Sequence, residues 1–229
     1  MPSVRPSSQP EHDAPAWLES PPGRQILADV QRMALPELAR VFGQYALYLR
    51  PSDVLSADLS GNLLTTVLSL HRQGEALAGH LRCLELELPV CSGSLSLIYA
   101  LFMLETSPDP SALMEELART LKPEGVALVI SVNLWSPTRL RWRPQLLRNV
   151  SESRVESLAV AAGLEVVRRQ YLGPLWPKAN ASLSERGGNR WFDSFRAASL
   201  VVLRRREAGL TPLRKVAPAV SLRPGMSPG

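Results

Sequence analysis

Cysteine is nearly missing from this chain: 229 residues contain only Cys83 and Cys91. Two cysteines at this spacing make neither a disulfide framework nor a zinc knuckle nor a redox pair, so both are expected to be reduced packing residues. Histidine is scarce too, and His12, His71 and His80 fall into no metal-binding spacing, so no metal is expected. Long apolar runs are also lacking. The longest, Leu95 to Leu104, is interrupted by Ser96 and falls far short of the ~20 residues that span a bilayer. Met1 to Pro22 holds prolines, Glu11 and Asp13 where a signal peptide needs a basic end and an apolar run, so export is not expected and the protein is read as cytoplasmic.

The composition is otherwise that of an ordinary globular protein, 45% hydrophobic and 21% charged. The net charge of +5 is local, with Arg139, Arg141, Arg143, Arg148 and Arg154 in one cluster and Arg204, Arg205, Arg206, Arg214, Lys215 and Arg223 in another. Such clusters can attract nucleic acid, or they can be solvated surface. Trp142 among the first set is what stacking on RNA would require. Proline crowds into Pro2 to Pro22 and Pro212 to Pro228, and low-apolar ends of that kind cannot offset the entropy of ordering. The expected organisation is an N-terminal tail over 1–15, a single domain over 16–210 and a basic proline-rich tail over 211–229.

Hydrophobic period sets the expected elements. Gly23 to Ala39 has helical spacing, with Pro36 as a point of kinking or division. Tyr45 to Leu49 reads as a buried strand entering a turn, and Leu63 to Leu70 as helix or strand. Leu81 to Leu88 alternates and ends at Pro89, a strand that turns Cys83, Glu85 and Glu87 to a wetter face. Leu95 to Leu104 and Val126 to Val132 are apolar throughout, as strands of a parallel sheet buried on both faces are. Between them Asp109 caps a helix with the stripe Leu113, Met114, Leu117 and Leu121, closing at Lys122 to Gly125. A helix over Ser151 to Ala162, a strand over Leu164 to Tyr171 and a last strand over Ala197 to Leu203 continue the alternation. The fold class is therefore α/β, a doubly wound, mostly parallel sheet, whose ligands bind beyond the carboxyl ends of the strands. Those tips are Leu49 to Asp53, Leu88 to Ser92, Leu104 to Pro108 and Asn133 to Thr138.

Leu88-Pro89, Ser94 to Ile98, Leu104-Glu105, Pro108-Asp109-Pro110 and Glu116-Leu117-Ala118-Arg119-Thr120-Leu121-Lys122-Pro123-Glu124-Gly125 together resemble class I S-adenosylmethionine-dependent methyltransferases of the type 11 kind. The resemblance implies a Rossmann-like, seven-stranded sheet with the last strand antiparallel, and S-adenosylmethionine held at the tips of the early strands. Carried onto this sequence, Leu49, Asp53, Glu87, Leu88 and Glu105 edge the cofactor pocket, and Asn133, Trp135 and Ser136 face the acceptor. The sequence departs from the family where the cofactor sits. The glycine-rich turn after the first strand is Arg50-Pro51-Ser52-Asp53, and proline supplies no N–H. The aspartate expected beside the adenine is Leu84, with Glu85 and Glu87 nearby; the aspartate of the family's S-x-D-x-V is Ser96, and a polar family position is Phe102. Residues 50–80 are also short for a turn, a helix, a second strand and a further helix. Asp53, Asp58 and Glu75 are equivalent candidates for the ribose-binding acid. Three functions follow: methyl transfer to an unnamed acceptor, a catalytically silent methyltransferase fold that binds a partner or regulates, and an RNA-associated protein using Arg139, Arg141, Trp142 and Arg143.

Overall fold

The structure is a computed structural model that describes residues 20–56, 59, 61–137, 149–175 and 190–206. Helix α1 (Pro21–Leu38) leads into strands β1 (Phe42–Arg50), β2 (Leu63–Gln73), β3 (Ala76–Gly79), β4 (Cys83–Leu84) and β5 (Leu95–Leu101). Then come α2 (Met103–Thr106), α3 (Pro110–Thr120), β6 (Leu121–Val132), α4 (Glu152–Ala161), β7 (Glu165–Leu172), a short 3-10 helix (Arg190–Phe195) and β8 (Ala198–Arg204).

The strands form one sheet in the order β4-β3-β2-β1-β5-β6-β8-β7. Parallel ladders join β2 to β1, β1 to β5 and β5 to β6. The last strand inserts antiparallel between β6 and β7, as the resemblance implies. Among the described residues the sheet has eight strands rather than seven, because the β2 to β4 wing is built from antiparallel turns instead of strand-helix-strand units. Alternation of strands and helices therefore fails between residues 42 and 94. The connection between the parallel strands β1 and β2 spans only 51–62, about the shortest crossover such a pair tolerates, and its described residues contain no helix.

Two apolar layers sandwich the sheet. On one face Leu113, Met114 and Leu117 of α3 and Val155, Leu158 and Ala159 of α4 pack on Leu47, Leu49, Ile98, Ala127 and Val201. On the other, Ile26, Leu27, Val30, Ala34 and Leu38 of α1 pack on Tyr48, Tyr99, Leu128 and Leu200. Helix α1 runs unbroken through Pro36 in its last turn, where the missing N–H forfeits a single intrahelical bond. Asp109 caps α3, accepting from the N–H groups of Ser111 (3.0 Å) and Ala112 (3.1 Å). At the other end of α3, Arg205 Nη1 donates to the carbonyls of Ala118, Arg119 and Leu121, satisfying groups the helix leaves open.

Two expectations are corrected. Lys122 to Gly125 is not a closing turn, since β6 begins at Leu121. Only glycine fits at 125: a Cβ there would lie 2.8 Å from the Lys122 carbonyl oxygen and 3.0 Å from that of Leu95. Leu81 to Leu88 holds just a two-residue strand, and its faces are reversed from Leu84 to Leu86: Leu84 is 56% exposed, whereas Glu85 is buried. Apolar pattern misleads here because Glu85 answers a buried cation on β2, described below.

Candidate functional site

The tips of β1, β2 and β5 are the place where a doubly wound sheet offers a cleft. β1 ends at Arg50, whose side chain is buried, donates to the Leu55 carbonyl, and lies 5.8 Å from the centre of the Tyr48 ring. Pro51 has no N–H to offer, and Ser52 is buried with its Oγ accepting from Val54 N–H at 3.3 Å. Burial and the adjacent Arg50 guanidinium hold His71, the β2 neighbour of Arg50, below its ordinary pKa.

On the other face of β2, Arg72 forms a salt bridge with Glu85 in which both side chains are 3% exposed. Glu85 Oε1 also accepts from Ser107 Oγ at 2.7 Å. This triad ties together the β2 tip, the segment after β4 and the segment after α2, across the tips where a ligand would reach down. Arg72 Nε and Nη1 find no hydrogen-bond partner among the described residues, so the buried guanidinium depends on Glu85. The neighbouring segment is pinned as well: Leu88 N–H donates to Glu116 Oε1 (2.8 Å), and Arg119 Nη2 donates to the carbonyls of Leu88 (3.1 Å) and Val90 (3.0 Å).

The residues expected at a cofactor pocket differ in exposure. Leu49 is wholly within the core, Leu88 and Glu105 are buried, and Asp53 and Glu87 are exposed. Of the acids weighed for the ribose, Asp53 and Glu75 are exposed and Asp58 lies outside the described residues. Glu105 Oε1 accepts the Val132 N–H at 2.5 Å, and burial pushes its pKa up to about 8. Arg72 was not suggested by sequence, and Ser107 only as part of the Leu104 to Pro108 tip. The available signal was an arginine closing the apolar run of β2 with an acid a short distance downstream.

The acceptor-side residues are gathered at the β6 tip. Asn133 is buried, donating from Nδ2 to the carbonyls of Ser194 (2.7 Å) and Arg196 (2.8 Å) and accepting from Trp135 N–H (3.0 Å). Its amide is thereby fully employed in shaping the loop, and it leaves Trp135 79% exposed while Ser136 is buried. Trp135 borders a pocket of about 280 Å³ with Asn133, Ser151, Glu152, Arg169 and Tyr171. Inside it Tyr171 OH donates to Glu152 Oε2 at 2.8 Å, and burial, with that bond, raises the phenol to about 12. Arg169 pairs with Glu156 and Glu152. Among the described residues no group of three His, Cys, Asp or Glu side chains could hold a metal, and no helix is long and apolar enough to cross a membrane.

The sheet order, with its antiparallel strand inserted between β6 and β7, agrees with what comparison finds. A family model described as a methyltransferase domain matches residues 29–129. That match covers less than half of the chain, and with the sheet order it makes the chain similar to the class I methyltransferases. Solved methyltransferase structures share the fold at low identity. A Thermotoga maritima S-adenosylmethionine-dependent methyltransferase, described as a possible histamine N-methyltransferase, is 13% identical with a TM-score of 0.54, over 83% of this chain and 93% of that one. An Aquifex aeolicus S-adenosylmethionine-dependent methyltransferase is 15% identical with a TM-score of 0.51, over 89% of this chain and 100% of that one. A chain of the complex between the Haloferax volcanii Trm112 methyltransferase activator and its proposed methyltransferase is 17% identical with a TM-score of 0.54, over 88% of this chain and 100% of that one. No curated protein matches the sequence.

Of the arginine clusters, residues 139–143, 148, 214, 215 and 223 lie outside the described residues, as does Trp142. Arg204 and Arg206 pair with Glu124 and Glu165, and Arg205 caps α3, so these three serve the fold.

Proposed function

We propose that this methyltransferase-fold chain acts without methyl transfer, as a module that binds a protein partner or regulates one. The observation that carries this reading is the Arg72–Glu85–Ser107 triad, buried across the tips where the superfamily holds its cofactor. A glycine-rich turn works by presenting free backbone N–H groups at the start of a helix. Here Arg50 and Pro51 occupy the turn, no helix follows it among the described residues, and the acid nearest the adenine position is consumed by Arg72. These residues do not fit S-adenosylmethionine, and no catalytic step is assigned through it. The Haloferax neighbour, solved with an activator protein, supports a partner-binding use of this fold.

Calorimetric titration with S-adenosylmethionine and S-adenosylhomocysteine tests the reading, alongside thermal unfolding with each ligand. A ligand at 100 times its dissociation constant adds about 2.7 kcal/mol of stability. The expected result is no heat and no stabilisation at millimolar ligand. Micromolar binding would overturn the proposal and restore methyl transfer, with Asn133, Trp135 and Ser136 beside the acceptor.

A further inference from the structure

Glu105 is a buried carboxyl group that neither the cofactor cleft nor the acceptor-side pocket employs. Its position follows from how β5 ends. The β5–β6 ladder stops at Leu101 opposite Ile130, and Phe102 N–H then donates to the Ile130 carbonyl at 2.8 Å. Phe102 adopts a left-handed conformation, φ 50°, which turns the chain into α2 and carries Glu105 back toward β6. There the Glu105 carboxyl receives the Val132 N–H, in the place where a continuing strand would have offered a carbonyl. Without it, that N–H would be buried and unmatched.

The carboxyl is poorly provided for in return. Oε1 has the Val132 N–H, and Oε2 has no hydrogen-bond partner among the described residues. The influences on its ionisation are burial and the backbone N–H groups of Val132 and of Glu105 itself, and no charged side chain from β5, β6, α2 or α3 is among them. A carboxylate in such a place has lost its water and gained little, so the neutral acid is the form that fits. Val132 runs directly into Asn133, which carries the whole Trp135 rim through its three hydrogen bonds.

We propose that Glu105 is a protonation-controlled latch on the pocket at the β6 tip. Neutral, it stays sealed between the tips of β5 and β6 and holds Val132; ionised, it moves toward water and frees the rim over Val132 to Trp135. The latch does not depend on whether a cofactor binds, and its test needs no ligand.

The experiment is an NMR titration of the full chain from pH 5.5 to 9.5, following the Val132 amide and the Trp135 indole N–H, the latter assigned with Trp135→Phe. Both signals are expected to move together with a midpoint near 8. One unit above the midpoint the ionised form outnumbers the neutral one about tenfold, so the change is complete within the range. Glu105→Gln, which keeps an acceptor for Val132 but cannot ionise, should leave both signals flat. A Val132 amide that does not titrate, or that titrates with an ordinary carboxylate midpoint below 5.5, would overturn the latch. So would a Val132 transition that leaves Trp135 unmoved, or one that persists in Glu105→Gln. If Glu105→Gln does not fold, the wild-type pair of signals decides by itself.

Discussion

Removing Glu85 should destabilise the protein far more than removing both members of its ion pair. Arg72 and Glu85 are each 3% exposed, and Arg72 Nε and Nη1 have no partner that could take over the charge. Glu85→Ala therefore strands a buried guanidinium, a change that costs about 3–5 kcal/mol when one partner of a buried pair is removed. It also leaves the Ser107 hydroxyl without its acceptor, for about 1 kcal/mol more. Against a typical total of about 5–15 kcal/mol this is a large fraction, and for a chain of this size it lowers the melting temperature by about 10 °C or more. The double replacement Arg72→Met with Glu85→Leu removes both charges and fills a similar volume but still lacks the Ser107 acceptor, so it should restore wild-type stability or exceed it by up to about 3 kcal/mol. Urea unfolding of wild type, Arg72→Met, Glu85→Leu and the double variant completes a cycle that isolates the coupling. The reasoning is refuted if Glu85→Ala stays within about 0.5 kcal/mol of wild type, the level of an ordinary surface change. It is equally refuted if the double variant is as unstable as the single one, because apolar side chains would then have failed to replace the pair.

The raised pKa of Glu105 makes stability depend on pH with a definite sign. Its folded value is about 8 and its ordinary value 4.5, so between these the unfolded chain releases a proton that the folded chain retains. Stability from this group is full below pH 4.5 and falls by about 1.4 kcal/mol per pH unit until pH 8. Urea titrations at pH 5, 6, 7 and 8 should show that slope in wild type and a flatter profile in Glu105→Gln; parallel profiles would remove the basis for a shifted pKa. Asp109→Ala removes the cap of α3 and should cost about 1 kcal/mol in the same assay, with Asp109→Asn close to wild type. Arg205→Met loses three carbonyl contacts at the other end of that helix and should cost about 1–3 kcal/mol. RNA affinity measured by fluorescence anisotropy at low salt should be unchanged in Arg205→Met, and a large loss there would give this arginine a role beyond the fold.

Local pattern sufficed wherever an element's neighbours in space are its neighbours in sequence. β5, α3 and β6 were legible because an apolar run, an Asp-Pro start and a second apolar run make a unit that closes on itself, and Asp109 caps as its residue type requires. The helix over Ser151 to Ala162 and the final strand were legible for the same reason of period and length, while the antiparallel direction of that strand came from the family resemblance. The glycine-poor turn at Arg50 and Pro51 could also be read directly, since backbone freedom is a property of residue type. Tertiary structure alone decided the rest. The β2 to β4 wing became a hairpin because no helix intervenes to return the chain parallel, and Glu85 went inward because Arg72, distant in the alternation that suggested otherwise, stands buried opposite it. Glu105 became a sealed, neutral acid because β5 stops short of Val132 and leaves an N–H to be met. Pairing of buried polar groups is a tertiary condition: Arg72 and Glu85 lie 13 residues apart and Glu105 and Val132 lie 27 apart, so local periodicity does not show that they meet.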